Sequence, residues 1–238
     1  MSHCGYKLKC GNCSLSSLCI PCGLTDNEMQ RLDSLALQHE TLHKNEVLIK
    51  QHASFDHIIA VRSGSFKALS DKKTTPTCIQ QFYLPGELIG FQGIHNKLYP
   101  FTVIALETSS VCKINFEKLI SIANKIPTLQ RHLFALMSQN LTHDYVINPN
   151  SDADERVATF LLGLSIRFKR RGLSANAFRL SMSRQDIGNH LGLATETVSR
   201  ILSSFAQQKL IQIQRREVSL LAPTALHEIA KLNHFCTY

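Results

Sequence analysis

Between positions 47 and 114, apolar residues recur at every second position in short runs. These are Val47 and Ile49, Ile58 and Ala60, Ile59 and Val61, and Phe101, Val103 and Ala105. Two-residue spacing puts alternate side chains on one face of a strand, so the runs predict short β-strands. The turn formers Arg62-Ser63-Gly64, Ser70-Asp71-Lys72-Lys73, Pro85-Gly86-Glu87 and Tyr99-Pro100 separate them. Evenly spaced short strands with such turns predict a small β-barrel or sandwich. In Val111-Cys112-Lys113-Ile114, Cys112 shares a face with Ile114. On position alone it reads as a buried core cysteine.

On either side the rhythm is helical. Thr25-Asp26-Asn27-Glu28 is a capping start for a short helix over 25–37, with Met29, Leu32 and Leu35 or Ala36 on one face. Residues 116–148 read as helical, with Pro127 near the start of a long helix that Asn148-Pro149-Asn150 stops. Leu133, Met137 and Leu141 recur along it at steps of four, followed by Asp144. Such a stripe is either core or a dimer seam. An Asp at the end of a seam is costly to bury and can act as a switch, or it is solvated at the edge. A further helix over 152–168 buries Val157, Phe160, Leu161 and Leu164 and ends at the basic Lys169-Arg170-Arg171-Gly172.

The strongest local pattern lies at 183–200. Ser183, with Asp186 three residues on, is a capping-box start for a short helix. Leu191-Gly192-Leu193 is a tight turn, and a second helix begins near Ala194 or Thr195. Val198, Ile201, Leu202 and Phe205 form its inner face, while Glu196, Ser199, Arg200 and Ser203 face outward. Arg pairs with guanine, Glu accepts from cytosine N4, and Ser serves either base, so this helix is suited to a major groove. An isolated Glu-x-x-Ser-Arg would be an ordinary solvated face; the preceding helix and glycine turn favour DNA reading. Beyond it, Ile211-Gln212-Ile213-Gln214 and Val218-Ser219-Leu220 alternate around Arg215-Arg216-Glu217, a β-hairpin whose basic tip can touch phosphate.

Composition adds to this picture. The chain has 238 residues, 44% of them hydrophobic, which suits one large or two small domains. Its formal charge is +8, and +6 of that falls between Asp154 and Tyr238, which supports a polyanionic partner for the C-terminal part. There is no membrane-spanning apolar run and no signal-peptide core, so a cytoplasmic protein with no membrane partner is expected. Eight Cys in a reducing compartment argue for metal or redox chemistry rather than disulfides. Five of them, Cys4, Cys10, Cys13, Cys19 and Cys22, crowd into the first 25 residues. Exposed free thiols are reactive and usually avoided, so this density points to a bound metal or iron–sulfur cluster without saying which.

This order of parts resembles the CRP/FNR family of bacterial transcription regulators, and within it the oxygen-sensing FNR branch. The resemblance rests on Cys10-x2-Cys13-x5-Cys19-Ile20-Pro21, Ile59-Ala60-Val61-Arg62-Ser63-Gly64, Pro85-Gly86-Glu87-Leu88-Ile89-Gly90-Phe91, 105–112, Asp186-Ile187-Gly188-Asn189 and Glu196-Thr197-Val198-Ser199-Arg200. It implies an α+β fold in which an N-terminal cyclic-nucleotide-binding-like β-roll, a long dimerisation helix and a C-terminal winged helix-turn-helix follow one another. The expected divisions are a cluster-binding loop over 1–24, a β-roll sensor over 25–115, a dimerisation region over 116–149 and a DNA-binding domain over 150–238. It also implies that Cys10, Cys13, Cys19 and Cys112 ligate an oxygen-labile 4Fe–4S cluster, which moves Cys112 from core residue to ligand.

By the same resemblance, Glu196, Ser199 and Arg200, with Thr195 beside them, read a half-site like TTGAT in palindromic double-stranded DNA. Arg215 and Arg216 are expected on phosphate. Leu133, Met137, Leu141 and Asp144 are expected at a homodimer seam, and RNA polymerase is an expected partner. The cyclic-nucleotide branch holds its ligand's phosphate with an Arg that His95-Asn96-Lys97-Leu98-Tyr99-Pro100 lacks, so no cyclic nucleotide is expected. Ala194 replaces the family's usual Ser or Thr cap, Thr195 replaces a Val, and the loop over 70–76 is basic where the family is acidic.

Two rivals remain. Cys22 creates a Cys-x2-Cys-x5-Cys-x2-Cys run able to bind structural zinc without Cys112, in a regulator that does not sense oxygen. Cys4, Cys78 and Cys236 are further extra thiols. An enzyme built on the β-roll is the other rival, but no nucleophile–base set appears. His39 and His43 lack the intervening Glu of a metalloprotease motif and read as solvated surface residues, so no enzymatic activity is expected.

Overall fold

The computed structural model describes residues 10–35, 38–70, 78–141 and 150–231. The expected capping residues, Cys4 and Cys236, Asp144 and the basic loop fall differently against that division: Thr25 and Ser183 are described, whereas Cys4, Cys236, Asp144 and residues 71–77 lie outside it. The chain divides into two compact units: 1–68 with 82–141, and 69–81 with 142–238. Among the described residues no helix is long and apolar enough to cross a membrane.

The first unit begins with a one-turn 3-10 segment, Cys10–Asn12, and then helix α1, Asp26–Asp33. Thr25 and Glu28 form the expected capping box on α1. Among the described residues eight strands come next, of which β4 and β5 run into the 69–81 segment of the second unit: β1 Gln38–Leu42, β2 Val47–Ile49, β3 His57–Ser63, β4 Phe66–Ser70, β5 Cys78–Tyr83, β6 Leu88–Ile89, β7 Thr102–Ala105 and β8 Ser109–Asn115. They make two four-stranded sheets, β1-β8-β3-β6 and β2-β7-β4-β5. Ile58, Ile59, Val61 and Val111 of one sheet share a core with Ile49, Phe66, Ala68 and Val103 of the other. This is the β-roll, and burial of its two inner faces is what holds the sheets together.

Two helices follow the roll, α2 Phe116–Ala123 and α3 Pro127–Leu141. The helical stretch is thus broken before Pro127, which sits at the first position of α3, where its missing N–H costs nothing. Leu129, Leu133 and Leu136 of α3 are buried in the β-roll core. Leu133, expected at a dimer seam, therefore already spends its apolar surface inside the protomer, because it lies on the same helical face as Leu129 and Leu136. Phe134, next to it, is 61% exposed.

The second unit contains α4 Ala153–Arg170, β9 Ala177–Arg179, α5 Arg184–Leu191, α6 Thr195–Gln207, β10 Ile211–Gln214, β11 Glu217–Leu220 and α7 Pro223–Ile229. Val157, Phe160, Leu161 and Leu164 of α4 are buried, as the helical periodicity predicts. The hairpin β10–β11 pairs with Ile211 opposite Leu220 and Gln214 opposite Glu217. β9, too short to register in the apolar pattern, adds a third strand against β11.

Candidate functional site

The N-terminal thiols sit in a run of turns rather than in a free loop. The Cys13 amide donates to the Cys10 carbonyl at 3.1 Å, the Cys19 amide to the Leu15 carbonyl at 3.0 Å, and the Cys22 amide to the Cys19 carbonyl at 3.1 Å. Ile20 is 1% exposed and belongs to the β-roll core. The Cys10 amide donates to Asp33 Oδ1 at 2.7 Å, tying the segment to the end of α1. The segment expected as a cluster-binding loop is thus anchored to α1 through Cys10 and to the roll through Ile20.

Cys112 lies on β8, between β1 and β3, opposite His39 on one side and Ala60 on the other. Its side chain is half-buried. Cys10, Cys13, Cys19 and Cys112 all line one cavity, whose walls also include Ile20, Leu32, Ala60, Val61 and Ile114. Cys22 is not part of that lining. Ala60 is a small residue directly beside Cys112, so it leaves room over the strand. Among the described residues, no three His, Cys, Asp or Glu side chains are grouped closely enough to hold a single metal ion.

The apolar walls set the chemistry of the thiols. Burial pushes the Cys10 thiol up to about 12, helped by the charges of Asp33, Cys112 and Cys13. Burial likewise pushes Cys19 up to about 12, while the Ile20 amide, donating to its sulfur, pulls the other way. Cys112 is raised by burial and by Cys13, and lowered by the Arg62 guanidinium. A desolvated thiolate needs a positive partner, so such thiols stay protonated until a cation replaces the protons.

His39 and Arg62 complete the rim. His39 Nδ1 lies 3.4 Å from Cys112 Sγ, although the side chain is otherwise exposed, as the sequence suggests. Neither residue carries a sequence signal for this place. Only the antiparallel register of β1 on β8 brings His39 to Cys112. A second histidine, His132 of α3, lies with Nε2 3.0 Å from the Cys19 carbonyl.

The second unit holds the helix-turn-helix. Ser183 Oγ accepts from the Asp186 amide at 3.0 Å, and Asp186 Oδ2 accepts from the Ser183 amide at 3.0 Å, closing the capping box. Gly192 ends α5 with φ 65°, in the left-handed region that favours glycine. Gly188 is required for a different reason: a Cβ there would lie 2.6 Å from the Leu193 carbonyl oxygen. Arg156 of α4 braces the same corner, donating from Nη1 to the Leu191 carbonyl at 2.7 Å. A cation on the last carbonyls of α5 also complements its dipole. No local pattern marks Arg156 for this role, because the contact spans two helices.

α6 presents the expected faces. Val198, Ile201, Leu202 and Phe205 are buried, whereas Glu196, Arg200 and Ser203 are exposed. Thr195 and Ser199 are half-buried, and Ser199 Oγ donates to the Thr195 carbonyl at 2.9 Å. The Ser199 hydroxyl proton is therefore engaged, leaving its lone pairs as acceptors. The N-terminus of α6, at Ala194, has no side-chain cap. Arg215 and Arg216 are exposed at the hairpin tip, Arg215 with φ 57°.

Known proteins resemble both units. A cyclic nucleotide-binding domain model matches residues 39–125, and a Crp-like helix-turn-helix domain model matches residues 155–229. The chain is 44% identical over 224 residues to the transcriptional activator protein Anr of Pseudomonas protegens, spanning 93% of this chain and 92% of that one. It is 36% identical over 229 residues to the fumarate and nitrate reduction regulatory protein of Yersinia pestis, spanning 95% of this chain and 92% of that one. Among solved structures, FixK2 from Bradyrhizobium japonicum superposes with a TM-score of 0.71 at 27% identity, over 82% of this chain and 98% of that one. Identity at this level across both units, on this fold and with this exposed reading helix, establishes that the chain belongs to the CRP/FNR family of DNA-binding transcription regulators.

Proposed function

We propose that this regulator is an oxygen-responsive activator that binds palindromic DNA as a homodimer while a 4Fe–4S cluster is held by Cys10, Cys13, Cys19 and Cys112. The observation that carries this reading is that four thiols from two distant parts of the chain line one apolar-walled cavity. The donor set fits the group: iron–sulfur clusters are held by Cys thiolates, and four Cys line this cavity. When bound, the cluster supplies an oxygen-labile cross-link among its ligands. The relatives named Anr and fumarate and nitrate reduction regulatory protein support the same reading. Cys22 lies outside the cavity lining, which favours the set with Cys112 over a zinc site built on Cys22.

The chain's own residues then have distinct tasks. Cys10, Cys13 and Cys19 hold the N-terminal turns against Cys112 of β8, beside the α3 segment that follows the roll. Phe134 and Met137, with Leu141 and Asp144 further along, meet a second copy across the two-fold axis. Leu133 braces α3 from inside. Arg200, Glu196 and Ser199 read base edges, with Thr195 at the helix entrance, and Arg215 and Arg216 hold phosphate. Activation of transcription makes RNA polymerase the further partner, in the cytoplasm where the DNA lies.

Anaerobic purification followed by iron, sulfide and absorption analysis tests this. About four iron and four sulfide per chain, with absorption in the blue and violet, are expected. A colourless protein containing zinc would contradict the reading and favour the structural-zinc regulator.

A further inference from the structure

Cys19 faces two ways. Its sulfur lines the thiol cavity, while its carbonyl oxygen accepts from His132 Nε2 at 3.0 Å. His132 is half-buried on α3, one turn after Thr128 and one residue before the core residue Leu133. Thr128 in turn hydrogen-bonds Glu28, the residue that closes the cap of α1. Two successive turns of α3 are therefore fastened to the N-terminal segment, but to different parts of it. Thr128 holds α1, which has its own cap and core contact through Leu32. His132 holds the backbone of a residue whose side chain belongs to the cavity. On the outward side of the same turns, Arg131, Phe134 and Ala135 are exposed.

We propose that His132 is the positioning residue through which the thiol site sets the placement of α3, its Nε2–H donating to the Cys19 carbonyl when the Cys19 sulfur is held in the cavity. This rests on the cluster reading above. The Cys19 carbonyl belongs to the turn that runs from Leu15 to Cys22, in which the Cys19 amide donates to the Leu15 carbonyl and the Cys22 amide to the Cys19 carbonyl. Holding the sulfur fixes that turn, and the carbonyl then stays aimed at α3. Releasing the sulfur lets the turn rotate, and a hydrogen bond weakens steeply as its angle opens. Coupling of this kind needs a contact that differs between the two states, and the proposal assigns that part to the Cys19 carbonyl. Thr128 to Glu28 makes no use of a thiol and is indifferent to the change.

The test compares wild type, His132→Leu and His132→Gln, each cluster-loaded under anaerobic conditions and again after air exposure. Iron and sulfide content and dimer dissociation by sedimentation equilibrium are read on every sample. His132→Leu is expected to retain wild-type iron and sulfide while its loaded dimer dissociates about 3- to 10-fold more readily, the effect of one lost hydrogen bond. His132→Gln, which keeps an N–H donor, is expected to recover most of that loss. After air exposure all three should dissociate alike. Equal dissociation of loaded wild type and loaded His132→Leu overturns the inference. So does a loss of the same size in the air-exposed samples, since that is a static packing effect. Should His132→Leu fail to fold, His132→Asn, whose shorter amide reaches less far, is read in the same way. A wild type without iron or sulfide instead overturns the cluster reading itself, and this inference with it.

Discussion

Arg200 is exposed on α6 one turn after Glu196, while the opposite face of the helix is buried in the second unit. Replacing it by Ala is expected to cost about 1–3 kcal/mol at one base pair of the half-site and relax preference there. Binding to a set of single-position variants of the palindrome checks this; uniform weakening would show a phosphate contact instead. Ser199, whose proton goes to the Thr195 carbonyl, is expected to accept from an amino group of cytosine or adenine rather than donate. At the start of the same helix Ala194 leaves the first amides without a side-chain partner. Ala194→Ser should therefore raise stability by about 1 kcal/mol, read as a higher unfolding temperature. Gly188→Ala should lower it by about 1–3 kcal/mol, because the added methyl meets the Leu193 carbonyl, which cannot move without opening the corner.

Among the elements, the wing gives the cleanest physical test. Arg215 and Arg216 are exposed at the tip of β10–β11, and counterion release predicts their effect. Removing both should reduce the slope of log binding constant against log salt by about 1 to 2. An unchanged slope with altered sequence preference would place them on bases. The elements also show which signals a sequence carries. The capping boxes at Thr25 and Ser183, the glycine turn at Gly192 and the buried stripe of α4 are local patterns, and all appear in the structure. β1, Gln38–Leu42, escaped because Gln-His-Glu-Thr-Leu has a single apolar residue; it is held by pairing with β8 rather than by its own pattern. The same holds for the three-residue β9. The helical stretch after the roll was legible, but which face of α3 is inward was not. Steps of four through Leu133 fit a seam and a core equally, and only packing against the roll assigns Leu133 to the core.

At the scale of the molecule, the family and the grouping of the thiols follow from different kinds of information. The crowding of Cys10, Cys13 and Cys19 with other thiols near the start of the chain points to metal chemistry in the sequence, while Cys112 reaches the same cavity only through the register of β8 beside β3 and the packing of Ile20. Position alone made Cys112 a core residue, and it is in fact half-buried against the core with its sulfur turned to the cavity. The proposed function requires a further step, from cluster binding in this cavity to a dimer on DNA. α3 exposes Phe134 beside residues packed in the roll, so the proposed switch needs only a modest change in how the helix is held. A dimer balanced near its dissociation point needs only a few kcal/mol to move from mostly monomer to mostly dimer.

The most direct measurement is sedimentation combined with absorption spectra for wild type, Cys112→Ser and Cys22→Ser, all purified without oxygen, with wild type repeated in air. Wild type and Cys22→Ser should be coloured and dimeric without oxygen. Cys112→Ser should be colourless and monomeric, like wild type after air. A Cys112→Ser protein that keeps its metal and its dimer, beside a Cys22→Ser protein that loses both, would contradict the oxygen switch and place the metal on the Cys22 set.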